Sequence, residues 1–342
     1  MTNKKIAVLG TGANGSCVAA DLTRAGLDVT LIDQWPAHVE KMKADGLTIN
    51  MPKETLSVHV RAEHMCDVCG FNEQYDIVLL VVKAFDTRWM AEFIKPYLAE
   101  DGLLIGVQNG MTAHDIAEIV GGHRTLGCVV ELSSELFDPG IVKRNTAPDH
   151  TWFGIGALDP SMKARLPEAR EVLAVAGKVD FVDDILSAKW MKLIINAMTM
   201  GIKGIVNMTA GEIFKVPGMR EIMLRAGEES LIVGHDLGYK NVAIIGLKPE
   251  DVEGTNRLCE LMLDKITADV GLGAKVTVLQ DHLKGRYSEV DQINGYVADE
   301  SEKRGLHAPV NRAVTEITRR IHAGELKPDP ANVKLIQEAL RN

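Results

Sequence analysis

No stretch of this sequence reaches the roughly twenty uninterrupted apolar residues that a membrane-spanning helix needs. Basic residues are in deficit: 38 Lys and Arg stand against 47 Asp and Glu, and the formal charge of −9 speaks against nucleic acid or an anionic membrane surface as the main partner. Cysteine is scarce and odd in number, five in 342 residues, and the chain enters its first apolar run without a signal peptide. A disulfide framework is therefore not expected, and a cytoplasmic location is. Cys66 and Cys69 form one C-x-x-C. A zinc site needs two more ligands at comparable spacing, whereas Cys17, Cys128 and Cys259 are scattered and only His64 lies near, so no metal is expected. Internal repeats and low-complexity tracts are lacking too. The 46% hydrophobic and 25% charged fractions are ordinary for a globular protein, and the length suggests two domains.

What is present is concentrated at the start. Ile6 to Leu9 reads as a buried parallel strand, and Gly10, Gly12 and Gly15 follow in G-x-G-x-x-G spacing with a helical pattern behind them. The glycines supply a tight turn, a close approach of backbone to pyrophosphate, and close contact of helix with strand. The candidate phosphate cradle is thus Gly10, Thr11, Gly12, Ala13, Asn14 and Gly15, at a helix N-terminus whose dipole favours anions. The next apolar run, Val29 to Ile32, ends in Asp33, 23 residues after Gly10. A carboxylate there can accept from ribose hydroxyls and would repel a 2′-phosphate; no Arg follows within a few residues, which favours NAD(H) over NADP(H).

Strands and helices alternate through the first half. Strands are expected at 74–82, 103–107, 125–130, 141–144, 151–154 and 178–182, with a helix at 86–98, which predicts a parallel doubly wound sheet. From Asp183 the period is helical, with helices expected at 185–206, 218–237, 249–270, 288–304, 310–323 and 330–340. The expected division is a Rossmann-type dinucleotide domain, 1–183, and an all-helical substrate domain, 184–342. Val310, Val314 and Ile317 fit either core packing or a homodimer through the helical domain.

Lys192 and Asn196, four apart in an apolar helix, project from one face. With these residues in view, the chain resembles the ketopantoate reductases (2-dehydropantoate 2-reductases), within the 6-phosphogluconate-dehydrogenase-like group. The resemblance runs from about residue 4 to residue 321. It rests on the glycine turn, Val82-Lys83-Ala84, Gln108-Asn109-Gly110, Trp190-x-Lys192-x-x-x-Asn196 and the string SEVDQING at 288–295, in that order. It implies a Rossmann domain plus a helical domain with the active site between them, and reduction of a 2-oxoacid. Lys192 then matches the lysine that protonates the ketone oxygen, and Glu289 the carboxylate that completes the site. Asn109 matches an asparagine lining the nicotinamide and substrate region, Lys83 a lysine beside the cofactor, and Asn196 a substrate-contacting asparagine.

The chemistry is coherent: hydride delivery leaves charge on oxygen, which an adjacent ammonium stabilises. Departures bear on the substrate. Met200 stands where the family often has a second asparagine, Ala274 where an asparagine often binds substrate, and Thr277 where a serine often meets the carboxylate. Asp33 departs from the family's usual NADP(H). A related β-hydroxyacid dehydrogenase and a non-catalytic dinucleotide sensor are the alternative functions.

Overall fold

Parallel strands buried on both faces need continuous apolar runs, and β1 (Lys5–Leu9) has one: beyond Lys5 every residue is buried. The computed structural model describes residues 4–341. It divides into two compact units, Met1–Leu186 and Ser187–Asn342.

The first unit continues with α1 (Ala13–Arg24), β2 (Asp28–Asp33), α2 (Pro36–Asp45), β3 (Leu47–Asn50), β4 (Thr55–Val58), β5 (Arg61–His64), β6 (Tyr75–Leu80) and α3 (Thr87–Ile94). It ends with β7 (Leu98–Val107), α4 (Ala113–Val120), β8 (Thr125–Glu131), β9 (Ser134–Asp138), β10 (Ile141–Arg144), β11 (Trp152–Ala157), α5 (Leu166–Leu173) and β12 (Lys178–Phe181). Eight strands form one sheet in the order β5-β2-β1-β6-β7-β8-β11-β12. The strand order turns at β1, with β2 on one side and β6 on the other, both parallel to it.

The Rossmann architecture is as expected, but the sheet is mixed and not wholly parallel. β11 runs antiparallel to β8 because the β9–β10 excursion brings the chain back at the end where β8 finished, Trp152 beside Glu131. The excursion also builds an unforeseen second sheet, β4-β3-β10-β9. Its strands are four or five residues long and partly exposed; β10 lies at the expected 141–144, whereas β3, β4 and β9 are too short for an apolar run to announce them. The helix expected at 86–98 is confined to Thr87–Ile94: Pro96 falls in a 3-10 turn at Lys95–Tyr97, and strand β7 begins at Leu98.

The second unit is helical: α6 (Ile185–Val206), α7 (Ala210–Ile213), α8 (Met219–Asp236), α9 (Pro249–Val252), α10 (Leu258–Val270), α11 (Thr277–Leu283), α12 (Asn294–Lys303), α13 (Pro309–His322) and α14 (Val333–Ala339). Two expected helices are broken. The 249–270 segment parts after Val252, where Gly254 takes φ +65°, a left-handed conformation open to glycine. The 288–304 segment parts at Ile293 (φ −115°, ψ −89°), leaving a 3-10 turn, Glu289–Gln292, ahead of α12. Val310, Val314 and Ile317 are buried within the chain, so core packing accounts for their pattern. Among the described residues, no helix is long and apolar enough to cross a membrane.

Candidate active site

The glycine turn lies between β1 and α1, and its three glycines differ in what they need. Gly10 has φ +92°, and a Cβ there would meet Val82 Cγ1 at 2.5 Å. A Cβ on Gly15 would stand 2.0 Å from the Gly10 carbonyl oxygen. Both are required by the protein itself. Gly12 is exposed, has φ −61°, and a Cβ there would meet nothing within 4 Å. Its missing side chain leaves open the space in front of the N-terminus of α1, where no side chain caps the helix. The residues present therefore fit a dinucleotide phosphate. Gly12→Val should melt within about a degree or two of the parent yet bind NADH about 100-fold more weakly in a fluorescence titration, a loss of ~2.7 kcal/mol. Unchanged affinity would remove Gly12 from the cradle.

The turn is braced from below. Asp33, buried at the end of β2, accepts from Thr11 N–H (2.6 Å) and Thr11 Oγ1 (3.2 Å) on one oxygen and from Trp35 N–H (2.8 Å) on the other. His38, wholly buried on α2, has Nδ1 accepting from Gly140 N–H (2.9 Å), so Nε2 carries the proton and donates to Thr11 O (2.9 Å). Ser16 Oγ donates to the same carbonyl at 2.7 Å. Asn14, in the first turn of α1, accepts from Ser134 Oγ of β9 at 2.6 Å. Sequence inspection missed Ser16, His38, Ser134 and Gly140, whose contacts span up to 120 residues.

Lys83 follows β6 and Asn109 follows β7, both half-buried. The Gln108 side chain ties these two ends together, donating to Val82 O and Thr87 Oγ1 (2.9 Å each) while accepting from Thr112 Oγ1 (3.2 Å). Gly10 to Gly15, Asp33, Lys83 and Asn109 are thus gathered at the carboxyl ends of four adjacent parallel strands, where the strand order reverses. Open α/β sheets bind ligands at that position.

In the second unit, α6 is buried at every residue from Ser187 to Val206 except Met200. A helix in such surroundings should be apolar throughout. Instead Lys189, Lys192, Asn196, Thr199 and Lys203 recur at spacings of three and four, one buried polar stripe. Buried lysines are rare because removing an ammonium from water is costly. The stripe extends the Lys192–Asn196 pair in both directions, and its three-four spacing is the sequence signal that marks it. Trp190 fixes the rotation of the helix: its Nε1 donates to Ser230 O (3.0 Å), and its ring stacks on Tyr239 (5.1 Å) and meets Tyr296 edge-on (6.0 Å).

Glu289, also buried, opens the 3-10 turn before α12. Asn294 connects that segment to the stripe. Its Nδ2 donates to Ala197 O on α6 (3.0 Å), the residue after Asn196, and to Asn311 Oδ1 on α13 (2.9 Å). Asn311 Nδ2 in turn donates to Ala226 O (3.0 Å) and to Glu229 (2.9 Å). The Glu229 carboxylate accepts from Val310 and Asn311 N–H, at 3.1 Å each, capping α13. Burial raises the pKa of Glu229 above the ordinary carboxylate value, against the donors that lower it.

Thr277 opens α11 and is half-buried, as is Ala274 in the preceding loop. α11 packs on the far part of α6, where a Cβ on Gly204 would meet Val278 Cγ1 at 2.5 Å. Gly204 lies eight residues, about 12 Å of helix, beyond Asn196. Among the described residues no group of three or more His, Cys, Asp or Glu side chains is placed to hold a metal ion. Cys66 and Cys69 are exposed free thiols.

Two family models match in succession: "Ketopantoate reductase PanE/ApbA" over residues 6–157 and its C-terminal counterpart over 184–322. The chain is 24% identical to the 2-dehydropantoate 2-reductase of Archaeoglobus fulgidus, covering 95% of this chain and all of that one. It is 26% identical to the crystal structure of a PanE/ApbA family ketopantoate reductase from Ralstonia eutropha JMP134, covering 94% and 99% of the two chains with a TM-score of 0.78. The ternary structure of D-mandelate dehydrogenase with NADH and anilino(oxo)acetate has the same fold at 22% identity, with a TM-score of 0.81 over 94% and 99%.

Proposed function

Because this chain belongs to the ketopantoate reductase family, we propose that it reduces a 2-oxoacid, with Lys192 as the proton donor to the new hydroxyl. As a member of that family it is an NAD(P)-dependent oxidoreductase. The observation that carries the finer reading is the buried stripe of α6: Lys192 and Asn196 are withdrawn from water on a helix that folding alone would have made apolar.

The dinucleotide, when bound, supplies the hydride. The protein's own residues do the rest. The α1 N-terminus and Gly12 receive the pyrophosphate, Asp33 accepts from the adenosine ribose hydroxyls, and Lys83 and Asn109 stand beside the nicotinamide half. The Lys192 ammonium hydrogen-bonds the ketone oxygen, offsets the charge that develops there and gives up a proton to it. Asn196 orients the substrate and Glu289 orients the ammonium.

Asp33 supports NADH over NADPH. A 2′-phosphate would meet a carboxylate already fixed by two backbone N–H groups, with no cation among the five residues that follow. Met200 supports an apolar substituent on the 2-oxoacid. It stands one turn beyond Asn196 and is the one residue of α6 between Ser187 and Val206 that is not buried. A thioether gives a substrate hydroxyl little to bond with, and each such bond forgone is worth ~1 kcal/mol. An aryl or branched-alkyl 2-oxoacid fits better than ketopantoate, whose hydroxyl would lack a partner there.

Steady-state rates with NADH and NADPH against ketopantoate, branched 2-oxoacids and phenylglyoxylate test this. We expect kcat/KM to favour NADH by about 100-fold, and an apolar 2-oxoacid over ketopantoate by about 10-fold. A preference for NADPH would overturn the role of Asp33. NADH binding without turnover of any 2-oxoacid would point to a sensor.

A further inference from the structure

The turn that carries Glu289 is fastened by a residue from outside the stripe. Ser288, buried immediately before Glu289, donates its backbone N–H to His322 Nε2 at 3.1 Å, and its Oγ lies 3.0 Å from the same nitrogen. An Nε2 that accepts leaves the imidazole proton on Nδ1. His322 is the last residue of α13, half-buried, with the His282 ring of α11 edge-on at 5.4 Å and the Tyr287 ring at 5.0 Å. The nearby charges include Asp291 on the turn and Arg319 one helical turn back on α13. Arg319 binds Asp291 through Nε (2.8 Å) and Nη2 (2.7 Å).

We propose that His322 is a positioning residue for Glu289: its neutral ring latches the Ser288 N–H, and protonation at Nε2 releases the Ser288–Gln292 turn. A proton on Nε2 opposes the Ser288 N–H and can be received by Ser288 Oγ instead, so the N–H loses its acceptor and the carboxylate one residue on is held less firmly. This rests on the reading of Glu289 as part of the substrate site. Burial lowers the His322 pKa below the ordinary histidine value of 6.5, and Asp291 opposes that less strongly. For a base with a depressed folded pKa, the stabilisation is whole above the unfolded value and is lost as pH falls through the folded one. The latch is therefore closed at neutral pH and opens in mild acid.

Two measurements test it on the NADH-bound protein. The first is amide exchange of residues 288–292 at pH 7.5 and below pH 6, corrected for intrinsic rates. We expect about 10-fold faster exchange in acid for wild type, no such rise for His322→Gln, and fast exchange at both values for His322→Ala. The second is kcat against pH with whichever 2-oxoacid is turned over. Wild type should lose rate in acid with an unchanged KM for NADH, His322→Gln should hold within about threefold and lose the acid limb, and His322→Ala should fall about 10-fold throughout. A wild-type acid limb in His322→Gln, or wild-type exchange in His322→Ala, overturns the latch. Absence of turnover with any 2-oxoacid overturns the functional reading alone, since the exchange arm still decides the latch.

Discussion

Lys192→Ala is expected to lower kcat by about 10² to 10⁴, the range a positioned proton donor contributes, while NADH binds as before. The separation is what gives the test its force. The groups proposed to hold the dinucleotide are all in the first unit, whereas Lys192 is on α6, so a direct titration with NADH should not register the change. Lys192→Arg keeps a charge but donates from a different place and releases its proton far less readily, so it should recover little. The measurement is kcat alongside the NADH dissociation constant. A variant within fivefold of wild-type kcat would leave the reaction with another donor. Loss of NADH binding instead would mean that the residue supports the fold or the cofactor and not the proton.

Arg144→Ala is expected to cost ~3–5 kcal/mol of stability, read as a shift in the urea midpoint. Arg144 is fully buried at the end of β10. Its Nη1 meets Asp21 of α1 at 2.5 Å, Nε donates to Thr146 O (2.7 Å), and Nη2 donates to Thr151 Oγ1 (2.9 Å) and Ala176 O (3.0 Å). Burial already raises the Asp21 pKa above its usual 3.8, although Arg144 pulls it down. Without the guanidinium, Asp21 keeps, among the described residues, only the exposed Arg24 at 3.1 Å as an ionic partner. An acid with a raised folded pKa costs stability above its unfolded pKa and less as pH falls, so the variant should recover part of its loss in acid. Adding Asp21→Leu to Arg144→Met should restore more stability than Arg144→Met alone shows, because both charges then leave together. If the single variant shifted the midpoint by under about 1 kcal/mol, water would have to reach Asp21.

The features legible from sequence were those written in contiguous residues. The strand ending at Leu9, the glycine turn and Asp33 announce themselves within 33 residues, and α6 carries an unbroken helical period from Ile185 to Val206. β3, β4, β5 and β9 did not, being short and half-exposed, with β3 and β5 paired to strands that are not their sequence neighbours. The break at Ile293 was hidden because SEVDQING has a tolerable helical pattern; what ends the turn is tertiary, with Asn294 drawn to the α6 backbone. His38 is the clearest case in the site. Nothing local distinguishes it from a surface histidine of an amphipathic helix, and its role depends on Gly140, 102 residues away.

The small second sheet has a consequence for the order of assembly. α1 packs against β3 and β4 as well as β9 and β10, and β3 pairs in parallel with β10, Thr48 beside Ile141. The carbonyl at Thr11 is held by His38, and His38 by the amide of Gly140. A nascent chain therefore cannot finish its N-terminal phosphate loop until some 140 residues have left the ribosome, and the coenzyme cannot serve as an early template for folding.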